Sequence, residues 1–125
     1  MKKPGKWTVE VLFAGRPVSM ALFHAVRLYI ESLGPVKIEA MKSQISFGSR
    51  TKFAWVWLPP PWAKNRSENS IVLTFGLRRH IEHERIVQAV EPRPGRWTHH
   101  VIIEKQADLD EDVRAWLREA YDLSR

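Results

Sequence analysis

The apolar residues of this chain change period twice, and few architectures satisfy that constraint. Val18, Leu22, Val26, Tyr29 and Leu33 recur at helical spacing along one face. After Pro35 the period becomes two. Ile45 and Phe47 alternate with Gln44 and Ser46, then Phe53, Trp55 and Trp57 alternate with Ala54, Val56 and Leu58. From Leu109 the helical period returns, with Val113, Trp116, Leu117, Ala120 and Tyr121 on one stripe. Strands collected between two helical segments mark an α+β fold rather than an alternating α/β one.

Local signals set the boundaries. Thr8 suits the cap of a short helical turn that Gly15 ends, and Pro17 suits the first turn of a longer helix. Gly34 reads as a left-handed cap and Pro35 as a breaker. Residues 36–39 alternate briefly, and strands are expected near residues 44–47, 53–58, 71–77, 85–90 and 97–104. Residues 48–52 form a hairpin loop, and Pro92, Pro94 and Gly95 mark a tight turn. Asp108 and Glu111 have capping-box spacing before the last helix. The expected fold is an antiparallel sheet of about five strands in a meander, with N-terminal and C-terminal helices packed on one face. The other face is left for solvent, a lid or a partner. Residues 1–7 form a basic lead-in and residues 8–125 a single domain, long enough to bury its own core.

Composition removes several function classes. Cysteine is absent, which excludes disulfides, thiolate nucleophiles and Cys-ligated zinc and suits a reducing cytoplasm. No apolar run approaches the length of a membrane span, and the basic start is not followed by a signal-peptide apolar region. A soluble cytoplasmic protein is expected, with no membrane partner. Nucleophile-elbow, phosphate-loop, dinucleotide-binding and His-Glu-x-x-His motifs are all missing. Asp108, Asp110, Glu111 and Asp112 crowd the start of the last helix, where the helix dipole accounts for them. No catalytic residue, cofactor or metal is therefore expected.

The charge balance points instead to binding. The net charge is +6, and residues 40–67 contain five basic side chains (Lys42, Arg50, Lys52, Lys64 and Arg66) and no acidic one. Trp55 and Trp57 lie within that segment. Cations interleaved with flat rings are what a single-stranded nucleic acid engages, through phosphate attraction and base stacking. The same pattern also describes a half-buried strand with solubilising lysines, and both readings stand.

Two further clusters add candidates. Arg78 and Arg79 open a charge-dense segment and suit phosphate oxygens. His80 and His83 in that segment are too few for a zinc site, and a solvated loop explains them. His99 and His100 face opposite sides of the last strand. His99, with Trp97 and Tyr121, is the candidate lining of a pocket between helices and sheet. That pocket defines an alternative function, a small anionic-ligand domain or weak enzyme. A protein–protein adaptor using the Pro-rich segment around Trp62 is a second alternative. The candidate partners are thus nucleic acid or another polyanion, a small anion, or a partner protein.

Several motifs also carry a family likeness. Thr8-Val9-Glu10, Phe13-Ala14-Gly15-Arg16-Pro17 and Glu31-Ser32-Leu33-Gly34-Pro35-Val36 resemble the start of the domain of unknown function 5655 family. Lys42-Ser43-Gln44-Ile45-Ser46-Phe47 and Phe53-Ala54 resemble its first strands, and Trp97-Thr98-His99-His100-Val101, Asp108-Leu109-Asp110 and Trp116-Leu117-Arg118-Glu119-Ala120-Tyr121 its end. The resemblance implies a compact α+β domain of unestablished function and places a histidine at His99. It also implies occurrence alone or beside nuclease-like domains, which favours nucleic acid. Some similar chains carry the label of predicted transport proteins. Residues 59–70 are longer and richer in Pro and Trp than the family pattern.

Overall fold

A computed structural model of the chain describes residues 7–59 and 69–125. A short helix α1 (Val9–Leu12) and a long helix α2 (Pro17–Leu33) precede β1 (Lys37–Ala40), β2 (Gln44–Gly48), β3 (Lys52–Trp57), β4 (Ile71–Leu77), β5 (Ile86–Arg93) and β6 (Arg96–Ile103). A 3₁₀ turn (Gln106–Asp108) leads into α3 (Glu111–Ser124). The fold is α+β, with one antiparallel six-stranded sheet where about five strands were expected. The brief alternation after Pro35 forms the additional edge strand β1.

The strand order is β1-β2-β3-β4-β6-β5. The chain meanders through β4. The β5–β6 hairpin is then turned so that β6 joins β4 and β5 becomes an exposed edge. Since β6 is antiparallel to both neighbours, β4 and β5 run parallel, and residues 78–85 must cross β6 to connect them. This crossover contains no helix. It forms a strap on the helix-bearing side of the sheet.

Register explains the core. Phe47, Ala54, Phe75 and His99 are cross-strand partners in one row, and Ile45, Val56, Leu73 and Val101 in the next. All eight are sealed from solvent beneath the helices. Each large apolar side chain so buried contributes about 1.5–3 kcal/mol. Phe23 of α2 meets Phe47, and Trp116 of α3 stacks on Phe75, so both helices share one face as expected. The Tyr29 hydroxyl donates to the Arg114 carbonyl and ties the helices together.

Local details shift three expectations. The buried stripe of α2 is Ser19, Leu22, Phe23, Val26 and Ile30, and Val18 is exposed. The helix is rotated because Phe23 and Ile30 bury more apolar area than Val18 and Leu33 would. Gly34 has φ 149°, positive but outside the left-handed helical region, and an added Cβ there would collide with the Tyr121 hydroxyl. The cap of α3 is Asp110, which accepts from Val113 N–H. Asp108 instead closes the preceding 3₁₀ turn by accepting from the Glu104 and Lys105 N–H groups. Two competing carboxylate caps in tandem made the later boundary hard to read.

Candidate functional site

The second face of the sheet carries the rows Ser46, Trp55, Thr74, His100 and Gln44, Trp57, Val72, Ile102. Trp55 and Trp57 are half-buried there, not sealed in the core. Trp57 Nε1–H donates to Thr74 Oγ1 at 2.8 Å, and Thr74 Oγ1 meets His100 Nδ1 at 2.6 Å. The indole can only donate, so the Thr74 hydroxyl proton is free for His100 Nδ1. Burial lowers the His100 pKa below its ordinary value and favours this neutral arrangement. Trp57 is thereby fixed by its own neighbours, whereas Trp55 stands beside a cleft.

That cleft, of about 400 Å³, lies at the end of the sheet where β3, β4 and the β5–β6 hairpin meet the C-terminal end of α3. A backbone irregularity lies at its edge. Lys52 pairs with Gly48 and Ala54 with Phe47, leaving Phe53 as the extra residue of a bulge. Phe53 was expected to point with Trp55 and Trp57. Instead the bulge turns it toward α3, where its ring meets Tyr121 edge-on at 5.5 Å. Gly76, beside Phe75 on β4, has no side chain to fill the space.

Four cations line the cleft: Lys52, Arg78, Arg93 and Arg96. All four are exposed, and no acidic side chain is among the lining residues. Trp55 and Trp97 are the indoles on its walls. Lys52 has a loose contact with Glu39 at 3.9 Å, both side chains more than 40% exposed. Among the described residues, no carboxylate lies within ion-pair distance of Arg78, Arg93 or Arg96. Arg93 and Arg96 are direct cross-strand partners, so two like charges oppose each other. Such pairs cost stability unless an anion screens them.

The sequence candidates divide by location. Lys52, Trp55, Arg78 and Trp97 meet in the cleft. Arg50 and Tyr121 line a separate hollow of about 410 Å³ with Leu33, Gly34, Pro35, Ser49 and Arg125. Lys42 lies on the exposed turn between β1 and β2 and lines neither concavity. Arg79 is held by Glu119 through two bonds of 2.9 and 2.8 Å, so its fork is already engaged by a carboxylate. Trp62, Lys64 and Arg66, with the adaptor reading built on that segment, lie outside the described residues, as do residues 1–6 of the lead-in.

His99 corrects a further expectation. It was read as a pocket residue, but its ring is fully buried and stacks on Phe75 at 5.3 Å. Nε2 accepts the Ile81 N–H at 3.0 Å, which leaves the imidazole proton on Nδ1. Nδ1 has no partner of good geometry, though the Phe75 carbonyl favours its proton. Burial, followed by the nearby His80, lowers the pKa of this imidazole. His99, Trp97 and Tyr121 stand in three different places: Trp97 lines the cleft, Tyr121 lines the separate hollow, and His99 is sealed in the core. His80 and His83 also diverge, His80 against Trp97 and His83 against Trp116. Among the described residues, no group of three or more His, Cys, Asp or Glu is placed to hold a metal.

Arg93 and Arg96 were missed because the turn between them absorbed the reading of that segment. The signal was present: residues flanking a tight turn fall opposite each other, so two arginines there must project side by side.

No helix among the described residues is long and apolar enough to cross a membrane. No curated protein and no solved structure matches the chain. The family described as domain of unknown function (DUF5655) matches residues 9–124. With the match running from α1 to the end of α3, the chain belongs to the DUF5655 family.

Proposed function

We propose that this domain is a non-catalytic binding module for single-stranded nucleic acid, which it holds in the cleft at the end of the sheet. One observation carries the reading: Lys52, Arg78, Arg93 and Arg96 converge beside Trp55 and Trp97 with no carboxylate among the lining side chains. Arg78, Arg93 and Arg96 without carboxylate partners, and Lys52 with only a loose one, attract phosphate, and an indole face accepts any base. The opposed arginines of the hairpin gain most from an anion between them. The cleft volume lies within the range of small-ligand sites, so free nucleotides are natural competitors for the strand. A cysteine-free chain fits this role in the cytoplasm.

Fluorescence anisotropy with labelled single-stranded DNA and RNA tests the reading. The expected result is micromolar or weaker binding at low salt that declines steeply as salt rises. Replacing both Arg93 and Arg96 by alanine is expected to weaken it at least tenfold, the loss of about 1.4 kcal/mol expected for two charge-assisted phosphate contacts. Absence of binding to any DNA or RNA at low salt overturns the proposal.

A further inference from the structure

The cleft has a neighbour. The hollow that contains Arg50 and Arg125 lies across a wall built from the loop between β2 and β3 and the last residues of α3. Thr51, Lys52, Leu123 and Ser124 line the cleft on one side of this wall. Ser49, Arg50, Tyr121 and Arg125 line the hollow on the other.

The wall is held by hydrogen bonds between the β2–β3 loop and the end of α3. Ser49, Thr51 and Ser124 give it small side chains at two contacts, and Phe53 on the cleft side meets Tyr121 on the hollow side edge-on at 5.5 Å. Ser49 Oγ and Ser124 Oγ are 2.6 Å apart, and Thr51 N–H donates to the Ser124 carbonyl at 3.2 Å. The two concavities therefore adjoin across a wall that these contacts hold together.

The hollow repeats the chemistry of the cleft with two cations in place of four. Arg50 is exposed, and no acidic side chain is among the lining residues. The Arg125 guanidinium lies 5.8 Å from the Tyr121 ring centroid. Its contact with Asp122 is loose, 3.7 Å with both side chains at least 60% exposed, and a phosphate can replace it at little cost. Leu33 and Pro35 supply an apolar floor.

We infer that the hollow is a second subsite for the same strand, so that one single-stranded nucleic acid crosses the Ser49–Ser124 contact with phosphates held by Arg50 and Arg125. The inference rests on the cleft reading above and adds a direction and a minimum length to it. A flexible single strand can bend from one concavity into the other. A ligand no longer than a nucleotide or two occupies the cleft alone.

The test is anisotropy with labelled oligothymidylates from about two to about twelve nucleotides, within and below the site sizes of single-strand binders. For the unmodified protein, affinity is expected to rise with length and then level off once both concavities are filled. With Arg50→Ala and Arg125→Ala combined, the shortest strands bind unchanged and the longest lose about tenfold. The salt slope for long strands also falls by about 1.4, two phosphate contacts at about 0.7 each. Arg50→Lys with Arg125→Lys retains most of the slope. If the double alanine variant binds long strands with unchanged affinity and slope, while Arg93→Ala with Arg96→Ala still weakens them, the second subsite is overturned and the cleft reading stands. If no oligonucleotide of any length binds the unmodified protein, both fall together.

Discussion

Arg78 and Arg79 are neighbours in the chain and opposites in circumstance. Arg79 belongs to the strap of residues 78–85, which crosses β6 antiparallel to α3 and is tied to it along its length. Arg79 meets Glu119, His83 Nε2 meets Asp112 at 3.3 Å, and Arg85 meets Asp110 at 2.6 Å and the Asp108 carbonyl at 2.8 Å. Between these ties, Ile81 is buried in the core and its N–H is given to His99. Arg78 instead joins Lys52, Arg93 and Arg96 in a cleft without acidic walls. Both regions contain arginines, so the presence of a cation does not distinguish them. Pairing does: a cation answered by a carboxylate holds the fold, and one without an answer is available to a ligand.

The sharpest way to break this distinction is to unfold both regions. Ile81→Ala is expected to cost about 2–5 kcal/mol, since it removes a buried side chain where the strap meets the core. Arg93→Ala with Arg96→Ala is expected to stay within about 0.5 kcal/mol of the unmodified protein, and relief of the like-charge pair pushes it toward gain. Urea unfolding of both variants checks this. A cleft variant as unstable as Ile81→Ala would make those arginines structural and dissolve the contrast.

A smaller effect comes from His99 beneath the strap. Its pKa is lowered in the fold, chiefly by burial, so the unfolded chain binds a proton more readily than the native one. Stability that is full above the ordinary histidine value of 6.5 is therefore lost as the pH falls below it, until the folded imidazole itself protonates. The slope approaches about 1.4 kcal/mol per pH unit for one fully buried histidine. His100 shifts in the same direction and adds to it. His99→Gln keeps an acceptor for the Ile81 N–H and removes the titration, so its unfolding free energy should vary less with pH in this window. An unchanged profile would mean that His99 is not what makes the strap acid-sensitive.

Much of this fold was legible in the sequence because apolar period and caps are local properties. The change from period 3.6 to 2 and back located both long helices and the strands. The cleft was only half legible. Lys52 and Trp55 lie in one basic and aromatic segment, while Arg78 follows β4 and Trp97 lies on β6, and these meet them only through register. Two features could not be read along the chain. The crossover of residues 78–85 depends on β6 joining β4, a long-range pairing with no local mark. The bulge at Phe53, at the edge of the cleft, turns its ring to Tyr121 and shows only in the sheet register. His99 was misplaced for a related reason. Alternation gave its face correctly, but only the strap shows that the face is closed above it.

The smallest effect is the most discriminating, because it moves one arginine from the first region toward the second. Glu119→Gln removes the charge that answers Arg79. The pair is partly exposed, 58% for Arg79 and 34% for Glu119, so its loss should cost less than about 1 kcal/mol. Its hydrogen bond from Arg79 holds the Glu119 carboxyl below its ordinary value of 4.5. The contribution is therefore present at neutral pH and is lost as the pH falls below that value, where the unmodified protein and the variant should converge. The same substitution frees a guanidinium next to Arg78. Single-strand binding should then tighten by a few-fold at low salt, with a steeper salt dependence, while stability falls slightly. Weaker binding in Glu119→Gln would mean that the Arg79–Glu119 pair shapes the cleft, and the division between answered and unanswered cations would not hold.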